Sequence, residues 1–311
     1  MSHAGTIAIL GVFVADATFR AKRQPRLGET VLGERFALGP GGKGSNQAVA
    51  AGRLGARVRF VTRLGDDAFA DLGERTWREA GVEPVVVRDP ASYTGAAYIY
   101  VDDASGDNAI IICPGAGGTI AAGDVERVGD AIRGADVFVT QLEQPVEAAV
   151  RGLELARAAG VTTVLNPAPA VALDDAVLGL ADWVTPNESE AGLLTGIEVA
   201  GLDDARRAGD ALLARGAGGV VLTLGAAGAL LHTRQHSAHV PAAVACGSVV
   251  ETTGAGDAFN GGLAVALARG DEPLAAGRFA AAVAGVSVTR PGTAPSMPTA
   301  AEVADVLARS S

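Results

Sequence analysis

Short apolar runs alternate with helix-length amphipathic stretches along this chain, and that alternation constrains the fold more than any other feature. Residues 6–12 read as a buried strand, 45–54 as a helix ending near Gly55, 58–61 as a strand and 67–80 as a helix closed by Gly81. The pattern resumes after Asp124, with strands over 137–140, 161–165, 183–185, 220–224 and 229–231. Helices fall over 146–159, near 187–194 and over 203–215, and the last third is mostly Ala-rich helix. Strands that are apolar throughout need cover on both faces. The alternation therefore predicts an α/β fold, a mainly parallel sheet between two helical layers. Two β-like stretches, 14–41 and 95–112, break the pattern. They predict a small β insertion, a lid, on a core formed by 1–13, 42–94 and 113–311.

Composition removes several functions. The formal net charge of −10 argues against nucleic acid, whose phosphates demand a basic face. Cys113 and Cys246 are too few for a disulfide framework and have no metal-binding spacing. No run reaches the roughly 18 apolar residues of a membrane span, and no basic segment leads an apolar one at the N-terminus. The expectation is a cytoplasmic enzyme with no nucleic-acid or membrane partner. Only Lys22 and Lys43 are lysines among 25 basic residues. This draws the eye to Lys43 in the stretch Gly41-Gly42-Lys43-Gly44-Ser45-Asn46, where a slim cation suits a Gly-lined position.

In a parallel sheet, ligands gather beyond the carboxyl ends of the strands. Polar clusters follow several predicted strands: Asp16, Gln141 to Glu143, Asn166, Asn187 to Glu190, and Gly225 after Thr223. The stretch Glu251-Thr252-Thr253-Gly254-Ala255-Gly256-Asp257 runs straight into an apolar helix. Small residues there leave the first amides of the helix open to an anion, while Asp257 can remove a proton from an acceptor hydroxyl. The plainer reading makes Asp257 a first-turn acid favoured by the helix dipole. Asn187-x-x-Glu190 is likewise either a capping box or a pair of oxygens for the water shell of magnesium. His232, His236 and His239 read as strand and turn rather than a zinc site, and Tyr93, Tyr98 and Tyr100 as lid packing. Two phosphate motifs are excluded. Lys43 is followed by Gly rather than Ser or Thr, so there is no P-loop, and Gly11 is followed by Val12-Phe13-Val14, so there is no dinucleotide fingerprint.

The order Asp16, Gly41 to Asn46, Asn187-x-x-Glu190 and Gly254 to Asp257 resembles the ribokinase family of carbohydrate kinases, the PfkB group, across essentially the whole chain. Residues 141–145, 165–170 and 288–292 look most like the ribokinases within it. The resemblance implies a ribokinase-like three-layer α/β/α sandwich with a β-sheet lid, and a homodimer joined through the lids. It implies ATP-dependent phosphorylation of the primary hydroxyl of a pentose, D-ribose giving ribose 5-phosphate. Asp257 would be the base, and the amides from Gly254 through Ala255 and Gly256 to Asp257 would hold the transferring phosphoryl group. Asp16, Gly42, Lys43, Asn46 and Glu143 would line the sugar pocket. Thr223 and Gly225, with Asn187 and Gly256, would lie by the nucleotide, and Asn187 and Glu190 would position magnesium through water. Glu251, Thr253, Ser287, Arg290, Gly292 and Ser296 would hold an activating potassium ion.

Three positions depart from the family pattern. Val14 stands where ribokinases usually carry Asn, so it cannot bond a sugar hydroxyl. Glu251 replaces Asp in the potassium loop, and Ala281 lies where Asn or His often sits beside adenine, leaving ATP or GTP open. Fructose, another sugar or a nucleoside are alternative acceptors. A catalytically silent sugar sensor is the non-enzymatic alternative, and it would have no need of Asp257 beside an anion hole.

Overall fold

The computed structural model describes residues 5–243 and 247–309, so Cys246 lies outside the described residues. The chain opens with β1 (Thr6–Leu10), β2 (Val14–Ala21), β3 (Arg35–Gly41), α1 (Lys43–Arg53), β4 (Arg57–Leu64), α2 (Ala68–Glu79) and β5 (Val82–Arg88). It continues with β6 (Thr94–Asp102), β7 (Asn108–Gly115), the short α3 (Ala122–Arg127) and α4 (Asp130–Arg133), β8 (Val137–Thr140) and α5 (Val146–Ala158). Next come β9 (Thr162–Leu165), α6 (Asp175–Leu178), β10 (Trp183–Val184), α7 (Glu188–Thr195), α8 (Leu202–Ala214) and β11 (Gly219–Thr223). β12 (Ala229–His232), β13 (Ser237–Val240), α9 (Ala255–Ala268), α10 (Pro273–Ser287) and α11 (Ala300–Arg309) complete it.

The nine-stranded sheet has the order β13-β12-β11-β10-β9-β8-β1-β4-β5 and is parallel except for the β11-β12-β13 edge. Alternation along β1 divides the core. Ala8 and Leu10 belong to the cluster that includes Phe138, Leu153, Leu212 and Leu222, whereas Ile7 and Ile9 belong with Phe60, Trp77, Ala48 and Val265. Helices α5 and α8 thus cover one face, and α1, α2, α9 and α11 the other. This is the expected sandwich. The sequence pattern missed β5, whose Pro84 obscures the run; β5 is the sheet's last strand, where a missing donor is tolerated.

The smaller sheet has the order β3-β2-β6-β7. Val14 pairs with Gly41 on one side and Gly95 on the other, and Thr94 pairs with Gly115. The residues at which these four strands join the larger body therefore stand in one row across the sheet.

Two close approaches fix the body beneath that row. Gly42 adopts φ 87°, and a Cβ there would lie 2.4 Å from the Val12 carbonyl oxygen. That turn lets α1 begin at Lys43, two residues earlier than the periodicity suggests. A Cβ on Gly11 would lie 2.5 Å from Gln141 Oε1 and 2.7 Å from Gly44 Cα, so the end of β1 meets the first turn of α1 backbone to backbone. Gly11→Ala should therefore destabilise the fold by about 1–3 kcal/mol through overpacking. Urea denaturation checks this, and an unchanged midpoint would mean that the two segments can part.

Candidate active site

Strand order reverses at β1, which lies between β8 and β4, and the carboxyl ends of strands on either side of such a reversal form a crevice. A cavity of about 170 Å3 opens there, with Lys43, Asn166, Asn187, Glu190, Thr223, Gly254, Gly256 and Asp257 among its lining residues. Elements far apart in sequence supply them: the first turns of α1, α7 and α9, the end of β11 and the segments after β9 and β10. A wider depression of about 570 Å3, near Asp210, His232, Arg234 and His236, lies by the amino end of β11, away from this crevice. His232 Nε2 faces Asp210 Oδ1 at 2.9 Å and His239 Nε2 faces the Ala227 carbonyl. Among the described residues no three His, Cys, Asp or Glu side chains are grouped to hold a metal.

Asp257 is buried in the first turn of α9. Asn46 Nδ2 donates to its Oδ2 at 2.9 Å and Gln47 Nε2 to its Oδ1 at 3.2 Å. Burial pushes its carboxyl above the usual range, opposed by Lys43 and the two amide donors. The Lys43 backbone N–H donates to Glu143 Oε2 at 2.7 Å. Burial would lower the Lys43 ammonium, but attraction from Asp257, Glu143 and Glu190 outweighs it and holds the pKa above the usual value. Burial raises Glu143 to about 7 and Asp16 to about 6. Asp16 reaches over Gly41, where a Cβ would lie 2.2 Å from its Oδ2. Asn46 Oδ1 is buried with no partner among the described residues, leaving an acceptor for a hydroxyl donor.

The anion side is built on the start of α9. Gly254 caps it with φ 82°, and a Cβ on Gly256 would meet nothing within 4 Å, so a ligand can approach the backbone there. The Ala255 amide bonds the Thr252 carbonyl at 3.1 Å, whereas those of Gly256 and Asp257 have no acceptor among the described residues. Ala255 thus contributes smallness rather than a free donor, which refines the expected set of amides.

Asn187 and Glu190 form the capping box: Glu190 N donates to Asn187 Oδ1 at 2.8 Å and Asn187 N to Glu190 Oε2 at 2.9 Å. The same Glu190 borders the cavity beside Asp257, so its capping role does not take it away from the site. Asn187 also bridges Thr223, and Gly225 follows with φ 52°.

The segments expected to hold a monovalent cation also meet. Glu251 Oε2 accepts from Gly292 N at 2.8 Å, and the Ser287 carbonyl accepts from Arg290 N. Ser296 Oγ donates to the Thr293 carbonyl, and Thr293 lies against Gly254, next to Thr253. The Arg290 guanidinium turns instead to Glu302.

The chain belongs to the pfkB family of carbohydrate kinases, which residues 5–300 match. The protein is accordingly a phosphotransferase with an alcohol group as acceptor. A Haemophilus influenzae ribokinase is 36% identical over 97% of this chain and 98% of its own. A Salmonella typhi deoxyribokinase is 35% identical over 94% and 95%. The structure of an Arabidopsis thaliana ribokinase complexed with ribose and ATP superposes with a TM-score of 0.90 at 30% identity, covering 98% of this chain and 99% of the other.

Sequence reasoning missed the roles of Gln47, Thr185 and Asn260, all buried beside Asp257. The available signal was a second amide, Gln47, next to Asn46 in α1 and an amide, Asn260, in α9, where Asp257 is the only other polar side chain. The raised Glu143 carboxyl gives a measurable expectation. A carboxyl whose folded pKa lies above its unfolded value contributes stability that is complete below the unfolded pKa and lost as pH rises through the folded one. The stability of the unliganded protein relative to Glu143→Gln should therefore fall as pH rises from 4.5 towards about 7. Thermal melts of both proteins across that window check it, and parallel pH profiles would contradict it.

Proposed function

We propose that this protein is a cytoplasmic kinase that transfers the γ-phosphoryl group of ATP to the primary hydroxyl of a pentose, D-ribose giving ribose 5-phosphate. One observation carries the reading: a buried carboxylate, Asp257, beside the unbonded amides of Gly256 and Asp257 in one cavity. Asp16, Lys43, Asn46 and Glu143 would bond the sugar hydroxyls and aim the reacting one at Asp257. As the new O–P bond forms, the hydroxyl proton passes to Asp257 and ADP leaves with the electrons of the broken bond. A base raised by burial suits this step, because a loose phosphoryl-transfer transition state needs the proton removed only late. The open amides, at the positive end of α9, would stabilise charge on the transferring group.

Asn187, Thr223 and Gly225 would border the nucleotide. Asn187 and Glu190 have the hard oxygens for the water shell of magnesium, which would supply positive charge to offset that of the phosphates. The segment around Glu251, Thr253, Ser287, Arg290, Gly292 and Ser296 would take potassium, mostly through backbone carbonyls. The smaller sheet, with β strands from 14–41 and 95–112, would close over the sugar and exclude water. Phe19, Phe36 and Tyr98 stack on the sheet face opposite Asp16 and are 40%, 58% and 36% exposed. An apolar sheet face this open favours a homodimer through it.

Val14 bears on the choice of sugar. It is buried with Val12 and Ala97, in the same strand and on the same face as Asp16. An apolar wall beside Asp16 would leave a facing hydroxyl unpaired, so 2-deoxyribose deserves a place beside ribose and fructose.

Asp257→Asn should retain sugar and ATP binding while lowering turnover by about 10²–10⁴-fold. Coupled ADP release and calorimetry check this, and near-normal turnover would remove Asp257 from the base role. Val14→Asn should lower the KM for ribose by about tenfold if ribose is the acceptor. A sugar panel with and without potassium provides the comparison, and an unchanged KM would place the sugar away from Val14.

A further inference from the structure

Behind the cavity, buried amide side chains form a hydrogen-bonded ring that begins and ends on the first turn of α9. Gln47 Nε2 donates to Asp257 Oδ1 at 3.2 Å and to Asn166 Oδ1 at 3.1 Å. Asn166 Nδ2 donates to the Thr185 carbonyl at 2.9 Å, and Thr185 Oγ1 donates to Asn260 Oδ1 at 2.6 Å. Asn260 Nδ2 then donates to the Gly256 carbonyl at 2.9 Å, one covalent step from Asp257. Every side chain in the ring is buried, and Gln47 is fully so.

The polarity of the ring is set by groups that cannot be reversed. The Thr185 and Gly256 carbonyls only accept, so the amides of Asn166 and Asn260 must present their NH2 groups to them. Asn166 therefore turns its oxygen to Gln47. Gln47 must offer its NH2 group both to that oxygen and to the carboxylate of Asp257. Its own oxygen accepts from Gln141 Nε2 at 2.6 Å. Both N–H groups and the oxygen of Gln47 are thus engaged, and its side chain has no second orientation that satisfies its neighbours.

We propose that Gln47 is a positioning residue for catalysis, anchoring a ring that aims the Asp257 carboxylate and the anion-binding amide of the same turn together. The Gly256 carbonyl and the Asp257 N–H belong to one planar trans peptide and point in opposite directions. Holding the carbonyl against Asn260 turns the N–H outward, towards the start of the helix, while Gln47 holds the carboxylate. One network therefore fixes the proton acceptor and a donor to the phosphoryl group relative to each other. Lys43, Glu143 and Glu190, the other charged groups coupled to Asp257, act from outside the ring, and Asp16 acts on Glu143.

The inference rests on the kinase reading with Asp257 as base, and three variants separate the two. Gln47→Leu should lower kcat by about 10–100-fold, as misplacement of a reacting group does, with the KM for sugar changed by less than about threefold. In an Asp257→Asn background the same substitution should lower the residual kcat by clearly less, under about fivefold, because the carboxylate is already gone and only the hold on the amide remains to be lost. Gln47→Glu keeps the shape and the contact with Gln141 but sets a carboxyl against a carboxylate. It should fold normally and lose more than about tenfold in kcat, which also decides the matter if Gln47→Leu does not fold. Wild-type kcat in Gln47→Glu, or an equal loss from Gln47→Leu with and without Asp257, would overturn the positioning role. Normal turnover in Asp257→Asn alone would instead overturn the base assignment.

Discussion

The attraction of Lys43 for the acids around it is the interaction on which the rest of the site depends. Asp257, Glu143 and Glu190 all act on this ammonium, and their combined pull exceeds what burial takes away. Without that cation, three neighbouring carboxyls in a poorly hydrated crevice would shed their charge by taking up protons. Lys43 also bonds Glu143 through its backbone N–H, so the start of α1 is tied to the segment after β8 by a hydrogen bond as well as by charge. The acids still outnumber the lysine. A nucleotide entering this field meets a net negative wall except at the open amides of α9. The phosphates therefore have one favourable place to go, and a divalent cation would supply the charge the protein itself lacks.

The fold serves this arrangement by bringing backbone very close to backbone. Gly11 and Gly44 leave no room for a side chain between β1 and α1, and Gly41 leaves room only for the Asp16 carboxylate. Trp77 fills the space behind α1, with its indole N–H donating to Ser45 Oγ at 2.9 Å and its ring edge-on to Phe13 and Phe60. Small residues in front and a large aromatic behind press the first turn of α1 into the crevice. The helix that carries Lys43, Asn46 and Gln47 is thus located by sterics before any hydrogen bond refines it.

Much of this was legible in the sequence because it rests on period and punctuation. Buried strands such as β8 announce themselves by continuous apolar runs, and α2 by its Asp67 cap and closing Gly81. The polar clusters at strand ends could be assigned to one rim because parallel strands put their carboxyl ends on the same side. The rest depended on partners distant in sequence. β5 was hidden by a proline that only an edge strand tolerates. Nothing local to Ala255 predicted that its amide would turn back to Thr252. The ring through Gln47, Asn166, Thr185 and Asn260 joins four separate segments, and each member looks unremarkable until the others are placed beside it.

The single row in which the smaller sheet meets the body has a mechanical consequence. Gly41, Val14, the Thr94–Gly95 pair and Gly115 stand abreast, so every covalent tether of that sheet lies on one line. A sheet tethered this way would swing about the line as a stiff flap, its own ladders intact, more readily than it would slide along the body. On that line only Gly42 separates the end of β3 from Lys43. A swing of that flap would therefore twist the chain within a residue or two of the crevice cation, and opening of the site would be coupled to its charge by direct leverage.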